Sequence, residues 1–218
     1  MPHIPIELEQ SWGRAWRIVG ARGDGLGVRD DLLARYAQPH RAYHTVQHML
    51  ECIATFSVIS NSATDPAAVE LALWFHDAIY DHKGKNEERS AELASAALKS
   101  ACVPASMIDL INSLILITRH TGAPCTADEM AMVDVDLAIL GSDPIRFAEY
   151  EQQIQQEYSH VPREQFVAGR KAVLESFLHR DRIYGTDAMF ERLEIPARSN
   201  LLHSLKLCKP SPKQLRNH

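Results

Sequence analysis

The sequence predicts an all-α protein. Apolar residues recur at helical spacing in every apolar segment, and no stretch of useful length alternates apolar with polar as a half-buried strand does. The one dipeptide suited to a tight hairpin, Asp24-Gly25, is not flanked by alternating apolar residues. At 218 residues and 45% apolar content, the chain is long enough to bury a real core and too apolar to be disordered. We read residues 1–208 as a single helical domain and 209–218 as a flexible basic tail.

Leu8, Trp12, Trp16 and Val19 repeat at helical spacing before glycines 20, 23, 25 and 27 break the pattern. A short helix is expected over Arg29 to Ala37, ended by Pro39, and a longer one over Thr45 to Ile59 with Cys52, Phe56 and Ile59 on one face. Asn61 to Asp65 is a polar loop. Pro66 opens a helix expected to carry Val69, Leu73, Phe75, His76 and Tyr80. After the loop Asp81 to Lys85, Asn86 is the expected N-cap of a helix whose Glu87 and Glu88 suit the positive end of the dipole. Pro104 starts an Ile/Leu-rich helix lasting to about Arg119. Thr126-Ala-Asp-Glu129 is a capping box, and Gly141 is the expected stop. Asp143-Pro144 opens a helix with Phe147, Tyr150, Ile154 and Tyr158 on its apolar face. Pro162 opens the next, with Phe166, Val173, Leu174 and Phe177, and a shorter helix from Ala197 to Leu207 closes the fold.

Lys plus Arg total 23 against 28 Asp plus Glu, a net charge of −5, which argues against a surface that coats nucleic-acid polymers. The longest apolar stretch, Leu110 to Thr118, is far short of the roughly 18 residues a membrane span needs. The N-terminus has neither a basic nor an apolar region of the secretory kind. Cys52, Cys102, Cys125 and Cys208 show no paired spacing, so we expect reduced thiols, Cys52 and Cys102 buried, in a cytoplasmic protein.

Histidine carries the chemistry. Of eleven, His40, His44, His48, His76, His82 and His120 fall in one segment, and histidine is the commonest metal ligand. Between Glu70 and Asp77 every residue is apolar except His76, which marks a buried helix and puts His76 and Asp77 where a polar group is expensive. A buried carboxylate needs a cation or must surrender its charge. Asp136 shares a face with Met132, Val133 and Leu140, so it too points inward; Asp134 is read as either a ligand or a hydrogen-bonded residue. His48 continues into Cys52 and Phe56 and faces the core, whereas His44 stands at the helix start and borders a cleft. His48, His76, Asp77 and Asp136 therefore form the expected ligand set. Two imidazoles and two carboxylates suit a borderline divalent ion such as Mn, Fe, Ni or Zn better than Ca, and the expected cofactor is a divalent ion of the group Mn, Fe, Ni, Mg or Zn.

This succession of His, His-Asp and Asp resembles the HD superfamily of metal-dependent phosphohydrolases, and more narrowly its predicted bacterial members. The resemblance rests on Arg41-Ala-Tyr-His-Thr-Val-Gln-His48, Trp74-Phe-His-Asp-Ala-Ile-Tyr-Asp81, Asn86-Glu-Glu-Arg-Ser-Ala91, Asp134-Val-Asp-Leu-Ala-Ile-Leu-Gly141 and Gly169-Arg170, and covers about residues 8 to 205. It implies the all-α HD bundle, the same four ligands, and hydrolysis of a nucleotide or another small phosphate ester. One departure is Gln155, where the pattern leads us to expect an Arg. The alternative is a metal-binding regulatory or ligand-binding module without turnover.

Around this core, His44, His120 and Glu87 are candidates for moving the leaving-group proton. His120 is equally read as a second-metal ligand, a phosphate contact or a plain loop residue, and Glu87 as a helix-dipole partner. Arg41, Lys83, Arg119 and Arg170 are candidates for holding a phosphoryl group. The expected partner is a small phosphorylated molecule, not a membrane or a nucleic-acid polymer, and a homo-oligomer is compatible with the sequence.

Overall fold

The computed structural model describes residues 4–207. Every regular element among them is a helix: ten α-helices and two short 3-10 turns, with no strand. The expected basic tail lies outside the described residues. None of the described helices is long and apolar enough to cross a membrane. The chain divides into two compact units, Met1–Asp136 and Leu137–His218.

The first unit contains α1 (Ile6–Ile18), α2 (Leu26–Tyr36), α3 (Val46–Ile59), α4 (Pro66–Phe75), α5 (Asn86–Ser100), α6 (Ala105–Ile117) and α7 (Ala127–Asp136). Its centre is α4, buried from Ala67 to Phe75 and packed by α1, α3, α5, α6 and α7. The continuous apolar run of its sequence has this cause: a helix covered on all sides has no polar face. Trp74, Phe75, Leu71 and Leu73 are fully buried, each stabilising the unit by about 1.5–3 kcal/mol. The indole of Trp74 meets Trp12 edge-on at 5.1 Å and donates to Ser11 Oγ at 3.0 Å, so its N–H is satisfied inside the core.

Capping agrees with the sequence at three starts. Asp65 caps α4 through Ala68 N–H, ahead of Pro66. Thr126 Oγ1 accepts from Glu129 N–H at 3.1 Å, and the Glu129 carboxylate accepts from Thr126 N–H at 3.1 Å. In the second unit, Asp143 Oδ1 accepts from the Ile145 and Arg146 N–H groups.

Several expectations are corrected. The α4 helix stops at Phe75 instead of running to Tyr80, because side chains take over the backbone groups beyond it: Tyr36 Oη accepts from Asp77 N–H, Ser90 Oγ from Ile79 N–H, and Arg41 donates to the Asp77 and Ala78 carbonyls. Asn86 is the first helical residue of α5 and not its cap. Its amide turns back to Asp81, accepting from Asp81 N–H and donating to Asp81 O, while Lys85 takes the cap position with a left-handed φ of 56°. Helix α2 begins earlier than expected, at Leu26, with Gly25 as its N-cap at a left-handed φ of 64°, a conformation glycine adopts without steric cost. Cys102 is exposed at a left-handed φ of 58°, just past the end of α5.

The second unit holds a 3-10 turn (Leu137–Gly141), α8 (Pro144–Glu157), α9 (Arg163–Leu178) and α10 (Asp187–Leu207). Helix α10 starts ten residues before the predicted Ala197 and carries Pro196 in its interior. Thr186 opens it through Met189 and Phe190 N–H, and Glu194 and Arg198 then bind backbone groups of residues 178–184, so the surroundings outweigh the proline. Gly141 ends the 3-10 turn without a positive φ. Its value is closeness, since a Cβ there would stand 2.7 Å from Leu193 Cβ and 2.9 Å from Leu193 O.

Candidate metal centre

The centre is built in the first unit from three segments. Helix α3 contributes His48, held inward because Thr45 caps the helix through Gln47 N–H and sets its register. The end of α4 contributes His76 and Asp77, and the end of α7 contributes Asp136. His48 and His76 are almost fully buried, and the Asp77 and Asp136 side chains are largely buried.

His76 Nδ1 donates to Leu73 O at 2.9 Å, which fixes the tautomer and leaves Nε2 facing the cluster. From that atom, Asp77 Oδ2 lies at 3.1 Å, His48 Nε2 at 3.3 Å and Asp136 Oδ1 at 3.4 Å. His48 Nε2 is 3.5 Å from Asp77 Oδ2 and 3.4 Å from Asp136 Oδ1. Ligands about 2.0–2.2 Å from one ion stand roughly 3.0–3.6 Å apart, depending on coordination angle. The five separations of 3.1–3.5 Å are the edges of such a polyhedron. Asp77 Oδ2 is also buried without a hydrogen-bond partner, although it points between two imidazoles. His48, His76, Asp77 and Asp136 thus form a cluster that can hold a metal ion.

Electrostatics agree. Burial alone would lower the pKa of His76, yet Asp77 and Asp136 hold it well above the ordinary range. Burial would raise both carboxylates. His76, His44 and His48 instead keep Asp77 far below its usual value, and bonds from His120, His48 and His76 do the same for Asp136. Two ionised carboxylates in a buried cluster call for positive charge, and a dication with neutral imidazoles balances them.

Comparison with known proteins adds no relative. No family model matches the chain, and neither a curated protein nor a solved structure matches it. The reading of the centre therefore stands on its own geometry.

Of the proton-transfer candidates, His120 joins the cluster directly, its Nε2 at 3.0 Å from Asp136 Oδ2, on a residue with a left-handed φ of 55°. His44 stacks on the Tyr80 ring at 4.0 Å and meets the His48 ring edge-on at 5.9 Å, which places its ring beside that ligand. Glu87 stands in the first turn of α5 beside Glu88, where a dipole partner sits.

Three of the four cationic candidates, Arg41, Arg119 and Arg170, are engaged within the protein. Arg41 is buried, and it donates to Asp77 O at 2.7 Å, to Ala78 O at 3.1 Å and to His44 O at 3.1 Å. It shapes the chain around the ligands and is a positioning residue. Arg119 pairs with Glu88 at 2.8 Å, and Arg170, in the second unit, pairs with Glu151 and lies over the Tyr150 ring. Lys83 is in the exposed loop between α4 and α5. Gln155 lines a cavity within the second unit, together with Arg163 and Arg170. Asp134 is completely buried, more so than Asp136, and stands outside the cluster.

Two participants were not assigned from the sequence. Tyr36 accepts from Asp77 N–H at 3.2 Å and so anchors the doublet; burial and the Asp77 charge push its phenol well above the usual range. Cys52 lies against His48, a placement foreshadowed only by its spacing of four residues from that histidine.

Proposed function

We propose that this chain is a metal-dependent phosphohydrolase of the HD type, acting on a nucleotide or another small phosphate ester. What carries the reading is the set of five separations of 3.1–3.5 Å among His48, His76, Asp77 and Asp136, in the chain order His, His-Asp, Asp. Those four residues would hold one divalent ion of the Mn, Fe, Ni, Mg or Zn group. Such an ion supplies Lewis acidity toward a phosphoryl oxygen and lowers the pKa of the water it binds.

The chain's own residues do the rest. His120 donates to Asp136 along the 3.0 Å contact and so orients that ligand. His44, held flat on Tyr80, delivers the proton to the leaving oxygen. Arg41 and Tyr36 keep the His76-Asp77 doublet at the end of α4 instead of letting the helix continue. Lys83 is the cation that meets the phosphate from the loop.

Phosphate release from a panel of nucleotides and small phosphomonoesters, with Mn, Mg, Ni, Co and Fe each supplied, tests the proposal. Activity on at least one substrate is expected, and Asp77→Asn should nearly abolish it by removing a charged ligand at constant shape. Activity that survives both chelation and Asp77→Asn overturns the mechanism.

A second reading, a metal-binding regulatory module without turnover, is favoured by one observation. Arg41, Arg119 and Arg170 are all engaged within the protein. Stoichiometric metal with no turnover across the panel is the outcome that supports it.

A further inference from the structure

Helices α8, α9 and α10 of the second unit line a cavity of about 510 Å³, within the range of roughly 300–1,000 Å³ usual for small-molecule sites. Each helix turns one face to it. Phe147 and Glu151 come from α8, Phe166 and Arg170 from α9, and Ser199 and His203 from α10, each pair four residues apart.

The polar side chains of the lining divide into two kinds. Arg170 pairs with Glu151 and lies over the Tyr150 ring, and Ser204 donates to the same carboxylate, so the Glu151 charge is met inside the unit. Gln152, Gln155, Arg163, Ser199 and His203 are different: their side chains have no hydrogen-bond or ion-pair partner among the described residues. A single exposed arginine of this sort is ordinarily only solvated. Here five unpartnered polar groups share a cavity whose lining also includes Phe147, Phe166 and Val167, the combination of apolar wall and convergent polar groups that marks a ligand site. The unmatched charge is the positive one of Arg163, on a chain whose net charge is −5. Gln155 lies in the last turn of α8 and Arg163 opens α9, so the two flank the same connection.

We propose that this cavity binds a small amphipathic anion, with its apolar body against Phe147, Phe166 and Val167 and its carboxylate, phosphate or sulfonate head on Arg163. Gln155 and His203 supply further donors to that head. A guanidinium offers an anion two parallel N–H groups, which gives direction as well as charge. The site is made wholly by the second unit and uses none of the metal-ligand candidates.

Two fluorescent probes test it. Anilinonaphthalene sulfonate and phenylnaphthylamine share one aromatic body and differ in the sulfonate. Each is titrated into the full chain in chelator, so that no metal ion holds the sulfonate. The wild type should bind the sulfonate probe more tightly than the neutral one. Arg163→Gln should weaken the sulfonate probe about tenfold or more, the loss of a hydrogen bond from a charged donor, and leave the neutral probe unchanged. Ala148→Trp, which fills the cavity from its lining, should weaken both. Arg163 and Ala148 are exposed, so neither change disturbs the core. Equal affinity for the two probes in the wild type, or an unchanged sulfonate affinity in Arg163→Gln, overturns the anion. Binding that Ala148→Trp does not move overturns the location, and absence of binding by either probe overturns the proposal outright. A dimer in sedimentation that Ala148→Trp breaks assigns this face to a second copy of the chain and overturns it as well.

Discussion

Replacing Arg41 with Met separates a positioning residue from a phosphate binder. The guanidinium satisfies the carbonyls of His44, Asp77 and Ala78. A hydrogen bond from a charged donor contributes about 1.5–3 kcal/mol, and a buried acceptor left without one costs about 1–3 kcal/mol. Three such acceptors do not add fully, since the chain relaxes and water reaches the part-buried ones. A loss of about 3–5 kcal/mol is the expected sum. For a chain of this length that corresponds to roughly 2–4 °C per kcal/mol, or a melting temperature lowered by about 10 °C. The measurement is urea and thermal unfolding of wild type, Arg41→Met and Arg41→Lys, all in chelator so that metal binding does not shift the midpoints. Arg41→Lys should recover only part of the loss, because one ammonium does not reach three carbonyls in the planar arrangement of the fork. Metal affinity of Arg41→Met should drop as well, about tenfold, because the carbonyls it releases belong to the turn that carries Asp77. An Arg41→Met protein within about 0.5 kcal/mol of wild type, with its effect confined to KM, would refute the reasoning.

Three further outcomes follow from individual contacts. Asp136→Ala should abolish stoichiometric metal while Asp134→Ala retains it, by metal analysis of the purified variants, since only Asp136 belongs to the cluster; the reverse order would make Asp134 the ligand instead. Asp81 bonds to the Arg89 guanidinium and to Lys83 N–H, which hold its pKa at about 2 against an ordinary 3.8. Its folded pKa is depressed, so its contribution is present above the ordinary value and is lost as pH falls toward 2. Carboxyl NMR titration checks this, and a midpoint near 3.8 counts against the ion pair. Gly25→Ala should destabilise by about 1–3 kcal/mol in chemical denaturation, because its Cβ would stand 2.5 Å from Trp16 Cε2 at a φ of 64°; an unchanged midpoint would show that the buried indole moves aside freely.

The helical fold was legible because periodicity and proline-led helix starts act locally. Asp65-Pro66, Thr126-Ala-Asp-Glu129 and Asp143-Pro144 declare their helices through bonds within four residues, and all three starts are in the structure. The ends were less legible. Nothing near Phe75 in sequence announces that α4 stops there. The stop is made by Tyr36, Arg41 and Ser90, which lie 11 to 41 residues from the groups they bind.

The same distinction runs through the centre. Inward position could be read for His48, His76 and Asp136 from the apolar faces they share, since a helix fixes which residues lie together. His120 could not be placed that way. It follows α6 in a left-handed turn, and only the fold of the unit carries its ring to Asp136. The partners of Arg41 were hidden for a related reason. A cation close in sequence to the ligands looks like a phosphate binder until its donors are found on carbonyls. Yet a doublet lifted off the end of a helix leaves just such carbonyls exposed inside the protein, and something must satisfy them. The break that frees His76 and Asp77 to meet His48 and Asp136 therefore requires a buried multidentate donor beside it. A guanidinium, with five N–H groups in a plane, is the side chain that supplies one.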